Sequence, residues 1–284
     1  MRIAVIGAYG QLGSDVVRAL GSDAVPLGRS DFDITDCAAV SKVLTDYKPD
    51  SVINLAAYNL VDRAEQEPDV ALKVNALGAR TVAQFCGRNR LPLLHVSTDH
   101  IFGLDGDRQT PYIETDLPGP VNAYGLSKLS GEYSVLAESP QSIIVRTCGL
   151  YGRTATRSKG NFVETMLKLA KARTEINVVA DQVCTPTSTS DLAPILVRLL
   201  REEATGIYHV TNGGEVTWAD FAREIFRLAG LDIKVNSISS AEYGAAARRP
   251  AYSVLKTDKV CRQLNVTLAD WRDALKRYLQ EGKS

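Results

Sequence analysis

Short apolar runs alternate with longer amphipathic stretches through the first half of the chain. Arg2–Ile6 reads RIAVI, Ser51–Leu55 SVINL, Pro92–Val96 PLLHV and Ser142–Arg146 SIIVR. Runs this short and this continuously apolar suit parallel strands covered on both faces. Ala24–Leu27 reads as a further strand. Between them Gln11–Leu20, Asp36–Tyr47 and Val70–Arg88 carry apolar residues at helical spacing, and Asp36 stands where a helix cap is expected. Strand–helix alternation with short links predicts an α/β fold built on a doubly wound parallel sheet.

The second half is less regular. Phe162–Ala172, Asp191–Arg201, Thr217–Ala229 and Leu268–Gln280 read as helices and Gly206–Val210 as a strand. No repeat, low-complexity stretch or flexible linker divides them. The expected organisation is a nucleotide-binding core over 1–150 with parts of 187–212. A smaller, inseparable C-terminal substrate-binding lobe then comes from 151–186 and 213–284.

Composition narrows the partners. Apolar residues make up 45% of the 284 and charged residues 23%, an ordinary globular mixture. Lys plus Arg (33) equals Asp plus Glu (33), so no basic field is available for nucleic acid or an anionic membrane. The first strand begins at Arg2, and no apolar run approaches the roughly 18 residues of a membrane span. No signal peptide, no membrane association and a cytoplasmic location are therefore expected. Cys37, Cys86, Cys148, Cys184 and Cys261 are widely spaced without a CxxC, which suits free thiols in a reducing compartment. No His/Cys/Asp cluster has metal-ligand spacing.

The first strand runs directly into Gly7-Ala8-Tyr9-Gly10-Gln11-Leu12-Gly13, and a helix follows. Glycines there permit a tight turn and close backbone approach, and the helix N-terminus offers free N–H groups and a favourable dipole to a pyrophosphate. This is the dinucleotide site of a Rossmann-type fold. The second strand ends at Gly28-Arg29-Ser30. An arginine there suits a ribose 2′-phosphate, so NADP(H) is favoured over NAD(H). Asp33 and Ile34 are placed to flank the adenine. Ala56, Ala57 and Tyr58 end the third strand with residues small enough, at first, for a cofactor to pass closely.

Tyr124-Gly125-Leu126-Ser127-Lys128 opens a helix reaching about Glu138, and Tyr and Lys at i and i+4 share one face. A free phenol titrates near 10. An ammonium about 4 Å away contributes roughly 4 kcal/mol at an effective dielectric of 20, enough to lower that value by about three units. The pair thus reads as an acid/base couple. Y-x-x-x-K is common in ordinary helices, and its weight here comes from Ser97-Thr98-Asp99-His100 at the carboxyl end of the fourth strand, where open α/β sheets bind ligands. The Thr98 hydroxyl is placed to hold a carbonyl toward Tyr124.

The order of GAYGQLG, NLAA, VSTD, YGLSK and RTCGLYG resembles the extended short-chain dehydrogenases/reductases. Within them the chain is most similar to the dTDP-4-dehydrorhamnose reductases. That resemblance also rests on Asp33-Ile34-Thr35-Asp36, Val61-Asp62-Arg63-Ala64-Glu65, Asn161-Phe162, Asp181-Gln182 with Pro186-Thr187, and Ala247-Arg248-Arg249-Pro250. It implies hydride transfer from NADPH or NADH to the C4 ketone of a nucleotide-linked 4-keto-6-deoxyhexose. Tyr124 then donates the proton, Lys128 holds the nicotinamide ribose, Thr98 orients the ketone and Asp99 sits beside the sugar. Arg248 and Arg249 are candidates for the substrate diphosphate. Relatives often dimerise, which leaves a homodimer open.

Three positions depart from the family pattern. His100-Ile101-Phe102 stands for the usual Tyr-Val-Phe, Cys148-Gly149 for a Ser-Trp pair, and Cys184 for a glycine. All three are expected near the substrate, and Gly149 in place of an aromatic wall enlarges or reshapes the sugar pocket. A ketoreductase for another nucleotide sugar, or a non-catalytic NADP-binding subunit like the β subunit of methionine adenosyltransferase, are the alternatives. A dehydratase fits less well, because such relatives carry Asp-Glu where this chain has Asp99-His100. For the cofactor, Arg29→Asp should turn a preference for NADPH into one for NADH. Unchanged relative affinities in a fluorescence titration would reject the 2′-phosphate role.

Overall fold

The computed structural model describes residues 1–154 and 160–281. The expected lobe segments 151–186 and 213–284 therefore contain some positions, 155–159 and 282–284, that lie outside the described residues. In chain order the first half gives β1 (Ile3–Ile6), α1 (Gln11–Leu20), β2 (Ala24–Leu27), α2 (Cys37–Tyr47), β3 (Ser51–Asn54), α3 (Val61–Ala64), α4 (Pro68–Leu72), α5 (Ala79–Asn89), β4 (Leu93–Thr98), α6 (Ala123–Glu138) and β5 (Ile143–Thr147). The second half gives β6 (Leu150–Tyr151), α7 (Phe162–Ala170), β7 (Glu175–Val179), β8 (Val183–Cys184), β9 (Thr187–Ser188), α8 (Thr189–Arg201), β10 (Gly206–His209), β11 (Val216–Thr217), α9 (Trp218–Ala229), β12 (Lys234–Ile238), α10 (Ser240–Tyr243), α11 (Asp258–Leu264) and α12 (Trp271–Glu281).

Six strands form one parallel sheet in the order β10-β5-β4-β3-β1-β2. The chain winds outward from β1 to β2, then returns across β1 to β3, so the switch of direction lies between β1 and β3. Ligands of open parallel sheets bind at the carboxyl ends of strands flanking such a point. One face of the sheet is covered by α1, α8 and α11 through Leu12, Val16, Leu192, Leu196 and Val260. The other is covered by α2, α5 and α6 through Val40, Leu44, Val82, Cys86 and Val135. Burial on both faces explains the absence of polar alternation in the strands.

The smaller lobe has its own core. Strands β7 and β12 pair in parallel, and α7, α9 and α12 bury Val163, Phe221, Ile225, Trp271 and Leu275 against them. The stretch expected as one helix over Val70–Arg88 is broken into α4 and α5 by a wider π turn over Lys73–Gly78. That turn carries Asn75, whose buried side chain accepts from Tyr58 N at 2.8 Å and donates to Tyr58 O at 3.0 Å and to Ser127 Oγ at 2.8 Å. A π turn is a frequent mark of a functional site. Here it ties the loop after β3 to α6.

Helix α6 is seated by charge as well as by packing. Glu132 and Arg146 of β5 are 1% and 2% exposed and pair at 2.8 Å. Each is costly to bury alone and tolerable only with the other. Glu132→Ala leaves the guanidinium stranded, and we expect a loss of about 3–5 kcal/mol in urea unfolding. A loss below about 1 kcal/mol would show that the pair does not hold this helix.

Candidate active site

The glycine loop leaves β1 at the switch point and is built around contacts that only hydrogen can make. Gly7 has φ +87°, and a Cβ there would lie 3.0 Å from Ala56 N and from Leu55 C. A Cβ on Gly13 would lie 2.1 Å from Gly7 O. The ends of β1 and β3 therefore meet across the loop with no side chain between them. Helix α1 starts at Gln11 with Gly10 as its cap residue, and no side chain caps it. The free N–H groups of that first turn are what a diphosphate needs.

Within this loop the expected residues divide by what their side chains do. Leu12 is buried in the sheet core, so only its backbone faces the loop. Gln11 Oε1 accepts from Gly152 N at 3.1 Å and from Asn161 Nδ2 at 3.0 Å, which commits that side chain to joining the two lobes. Arg29 is exposed at the end of β2, and its charge helps hold the Asp33 carboxyl below the usual range. The larger cause is hydrogen bonding from Thr35 N and Oγ1 to Asp33. Ile34 is buried, Ala57 is exposed, and the Tyr58 hydroxyl donates to Glu67.

The polar residues at the end of β4 meet α6. Asn122 caps α6 by accepting from Gly125 N at 2.7 Å, and its amide nitrogen lies 3.1 Å from His100 Nδ1. The His100 ring stands edge-on to Tyr124 with centroids 5.5 Å apart. Thr98 Oγ1 donates to Asp99 Oδ1 at 3.1 Å and accepts from His100 N at 3.2 Å. Lys128 Nζ donates to Val96 O at 2.8 Å and lies 3.4 Å from His95 Nε2. Tyr124, Lys128, Thr98, Asp99 and His100 are thus drawn together.

The titration of the pair differs from the expectation. Burial pushes the Tyr124 phenol up to about 12, with hydrogen bonding to Thr98 acting against it and Asp99 adding to it. The Lys128 ammonium does not counter this, because it points into β4 and bonds Val96 O. Burial brings Lys128 itself down to about 8. In the protein alone desolvation dominates both groups. His100 is also lowered by burial, with Asp99 acting the other way.

A cavity of about 840 Å³ opens beside Asp99 and His100 and runs into the smaller lobe past Phe162, Trp218, Gln182 and Arg249. Neither the glycine loop nor Tyr124 lines it. Gly149 does, at φ +54°, but the space beside it is not vacant: a Cβ there would meet Trp218 Cη2 at 3.3 Å and Pro186 Cα at 3.2 Å. Trp218 of α9 thus supplies an aromatic surface where the chain at 149 has none. Cys148 and Cys184 line the same cavity, and Cys184, burial and Asp99 together push the Cys148 thiol well up.

The two arginines part company. Arg249 reaches the cavity but forms a bidentate pair with Asp62, Nη1 to Oδ1 at 2.9 Å and Nη2 to Oδ2 at 2.7 Å, which holds the Asp62 carboxyl below its usual range. Arg248 is exposed and lines only a neighbouring hollow with Asp181, Ser240 and Arg249. Sequence reading missed Asn75, His95 and Trp218. The apolar run PLLHV hid His95 among strand residues, and Trp218 read as a helix start. Two buried hydroxyls, Ser97 Oγ and Thr147 Oγ1, have no partner among the described residues, at the carboxyl ends of adjacent strands. Polar atoms left so call for a partner such as ordered water or a ligand.

Comparison with known proteins follows this geometry. The profile of the family described as RmlD substrate binding domain matches residues 1–284. A dTDP-4-dehydrorhamnose reductase of Sinorhizobium fredii is 39% identical over 100% of this chain and 99% of its own length. A dTDP-4-keto-6-deoxy-D-glucose reductase of Streptomyces niveus is 40% identical over 95% of this chain and 94% of its own. The crystal structure of a Bacillus anthracis dTDP-4-dehydrorhamnose reductase in complex with NADP superposes with a TM-score of 0.93 at 38% identity, covering 99% of both chains.

The glycine loop gives a direct check. Gly13→Ala forces a methyl group against backbone, so we expect a lower Tm and NADPH binding weakened by about tenfold or more, a change of at least about 1.4 kcal/mol. Wild-type affinity in that variant would mean the loop does not approach the cofactor.

Proposed function

The chain belongs to the RmlD substrate-binding family, and from that premise we propose that it is an NADPH-dependent oxidoreductase reducing the C4 ketone of a dTDP-linked 4-keto-6-deoxyhexose. The foremost candidate is dTDP-4-dehydrorhamnose, giving dTDP-L-rhamnose. The observation that carries this reading is the convergence of Thr98, Asp99, Tyr124 and Lys128 at the end of β4, beside a cavity large enough for a nucleotide sugar.

The loop fits the cofactor. Its backbone cradle at Gly7 and Gly13 would be filled by any Cβ, and the uncapped start of α1 offers N–H groups to a diphosphate. When bound, the dihydronicotinamide supplies a hydride to the substrate carbon. This chain supplies the rest. Thr98 orients the ketone oxygen, and Tyr124 gives it a proton. A phenol held near 12 is fully protonated at neutral pH and matches an alkoxide far better than it matches water. Lys128 would hold the nicotinamide ribose.

On the substrate side Asp99, His100 and Trp218 face the sugar and its nucleotide. Arg249 reaches the diphosphate by giving up or sharing Asp62. Two features favour a second sugar as the substrate: Gly149 with Trp218 beside it, and an equal likeness to a reductase of a glucose-configured keto sugar. Assembly as a homodimer and a cytoplasmic location complete the proposal. Among the described residues no helix is long and apolar enough to cross a membrane.

Turnover of NADPH with a panel of dTDP-4-keto-6-deoxyhexoses, followed at the nicotinamide absorbance band, tests the function. Binding of NADPH without oxidation across the panel would favour the regulatory subunit. Tyr124→Phe should keep NADPH affinity and lose about 10²–10⁴-fold in turnover, because only the proton donor goes. Normal turnover in that variant would remove Tyr124 from the reaction.

A further inference from the structure

His95 lies inside the sheet with no exposed surface, two residues before the unpartnered Ser97 hydroxyl. It is the cross-strand neighbour of Asn54 on β3, and its Nδ1 is 3.1 Å from Asn54 Nδ2. The orientation of Asn54 is fixed independently, because its Oδ1 accepts from Ala56 N at 3.1 Å. Asn54 therefore turns its N–H toward the ring, and Nδ1 must accept. A neutral imidazole with an accepting Nδ1 carries its one proton on Nε2. An accepting Nδ1 excludes the doubly protonated ring, and burial pushes His95 below its ordinary value in the same direction.

Nε2 faces Lys128 Nζ at 3.4 Å. An ammonium has three N–H donors and no acceptor, whereas the free amine has a lone pair. A proton on Nε2 thus points at a group that can accept it only after losing its own. We propose that His95 is a positioning residue for the reducing site, locked by Asn54 so that it presents a donor to Lys128 and favours the free amine there. The inference rests on the reading of Lys128 as part of a reductase, and it assigns His95 a part that Y-x-x-x-K and Ser-Thr-Asp do not contain.

The hydrogen bonds favour the amine. One N–H serves Val96 O, at 2.8 Å, and the lone pair takes Nε2–H at 3.4 Å. The charged form leaves one N–H against another unless the imidazole changes tautomer, which Asn54 opposes. Of the charged groups around Lys128, Glu132 on its own helix acts the other way and favours the ammonium. Glu132 is itself engaged by Arg146 of β5. Asp99, from the end of β4, and Cys148, after β5, act on Tyr124. The contact from the Asn75 turn reaches α6 at Ser127 and carries no charge.

The consequence is chemical. Reduction of a ketone consumes one proton per turnover, given by Tyr124 to the oxygen as the hydride reaches the carbon. The tyrosinate must be refilled, and Lys128 one helical turn away is a proton source only if it parts with a proton readily. Lys128 then recovers one from solvent. An amine that finds a donor waiting for its lone pair makes that release easier.

The test is a titration of Lys128 by NMR on protein labelled with 13C at the lysine ε-carbon, with the resonance assigned by Lys128→Arg. The wild type should titrate near 8. In His95→Gln the side-chain amide is free to turn its oxygen to the ammonium, and the midpoint should rise by about one unit or more, a tenfold or greater change in the equilibrium. The alkaline limb of NADPH-dependent turnover should move by the same amount. Asn54→Ser removes the lock without touching the ring, should shift the midpoint in the same direction, and serves if His95→Gln fails to fold. An unchanged midpoint in a folded variant overturns the inference. A shifted midpoint without turnover on any keto sugar leaves it standing and overturns the proposed function instead.

Discussion

Helix α6 carries two buried ionisable side chains, Lys128 and Glu132, against the sheet, and the site depends on both being answered. Glu132 is met by Arg146 of β5, and Lys128 by the Val96 carbonyl of β4. Neither charge tolerates a loose fit, because desolvation is repaid only at hydrogen-bonding distance. The helix is thereby fixed in height and rotation against two strands. Tyr124, one turn earlier on the same face, comes to rest at the carboxyl end of β4 beside Thr98. The proposed acid/base pair is a product of that seam.

The same constraint explains how the rest of the molecule is arranged around the site. Asn75, presented by a π turn, fastens the loop after β3 to α6, and Gln11 fastens the start of α1 to the smaller lobe. The glycine loop, the Ala56–Tyr58 segment and helix α6 are therefore held by side-chain amides with defined donors and acceptors. Such groups cost little to bury when fully partnered and keep the elements in register. Beyond them the cavity passes into a lobe with a separate apolar core, where shape can change without disturbing the hydride end. Gly149, Trp218 and Cys184 line that part of it.

The sheet was readable from sequence because strands buried on both faces must be short apolar runs, and the helices showed their faces by spacing. The glycine loop and Tyr124 with Lys128 were readable for a different reason: close approach and a shared helical face leave spacing as a signature. What stayed hidden was direction. No spacing tells that the Lys128 ammonium turns into β4, so the phenol was expected to fall and instead rises. Nor does it tell that Arg249 is already paired with Asp62, 187 residues away along the chain. His95 was hidden because its ring counts as one more strand residue until Asn54 fixes which nitrogen bears the proton. Gly149 pointed to a wider pocket, and only the fold shows Trp218 against it.

The central claim is that this geometry delivers hydride to one face of a keto sugar and a proton from Tyr124 to its oxygen. Reaction of the protein with NADPH deuterated at the transferable C4 position of the nicotinamide, in light water and with dTDP-4-dehydrorhamnose, reads it directly. The account predicts a product hexose with deuterium at C4 as a single stereoisomer and a hydroxyl proton drawn from solvent. A product without deuterium at C4, or deuterium retained in the nicotinamide while the sugar is unchanged, would contradict it.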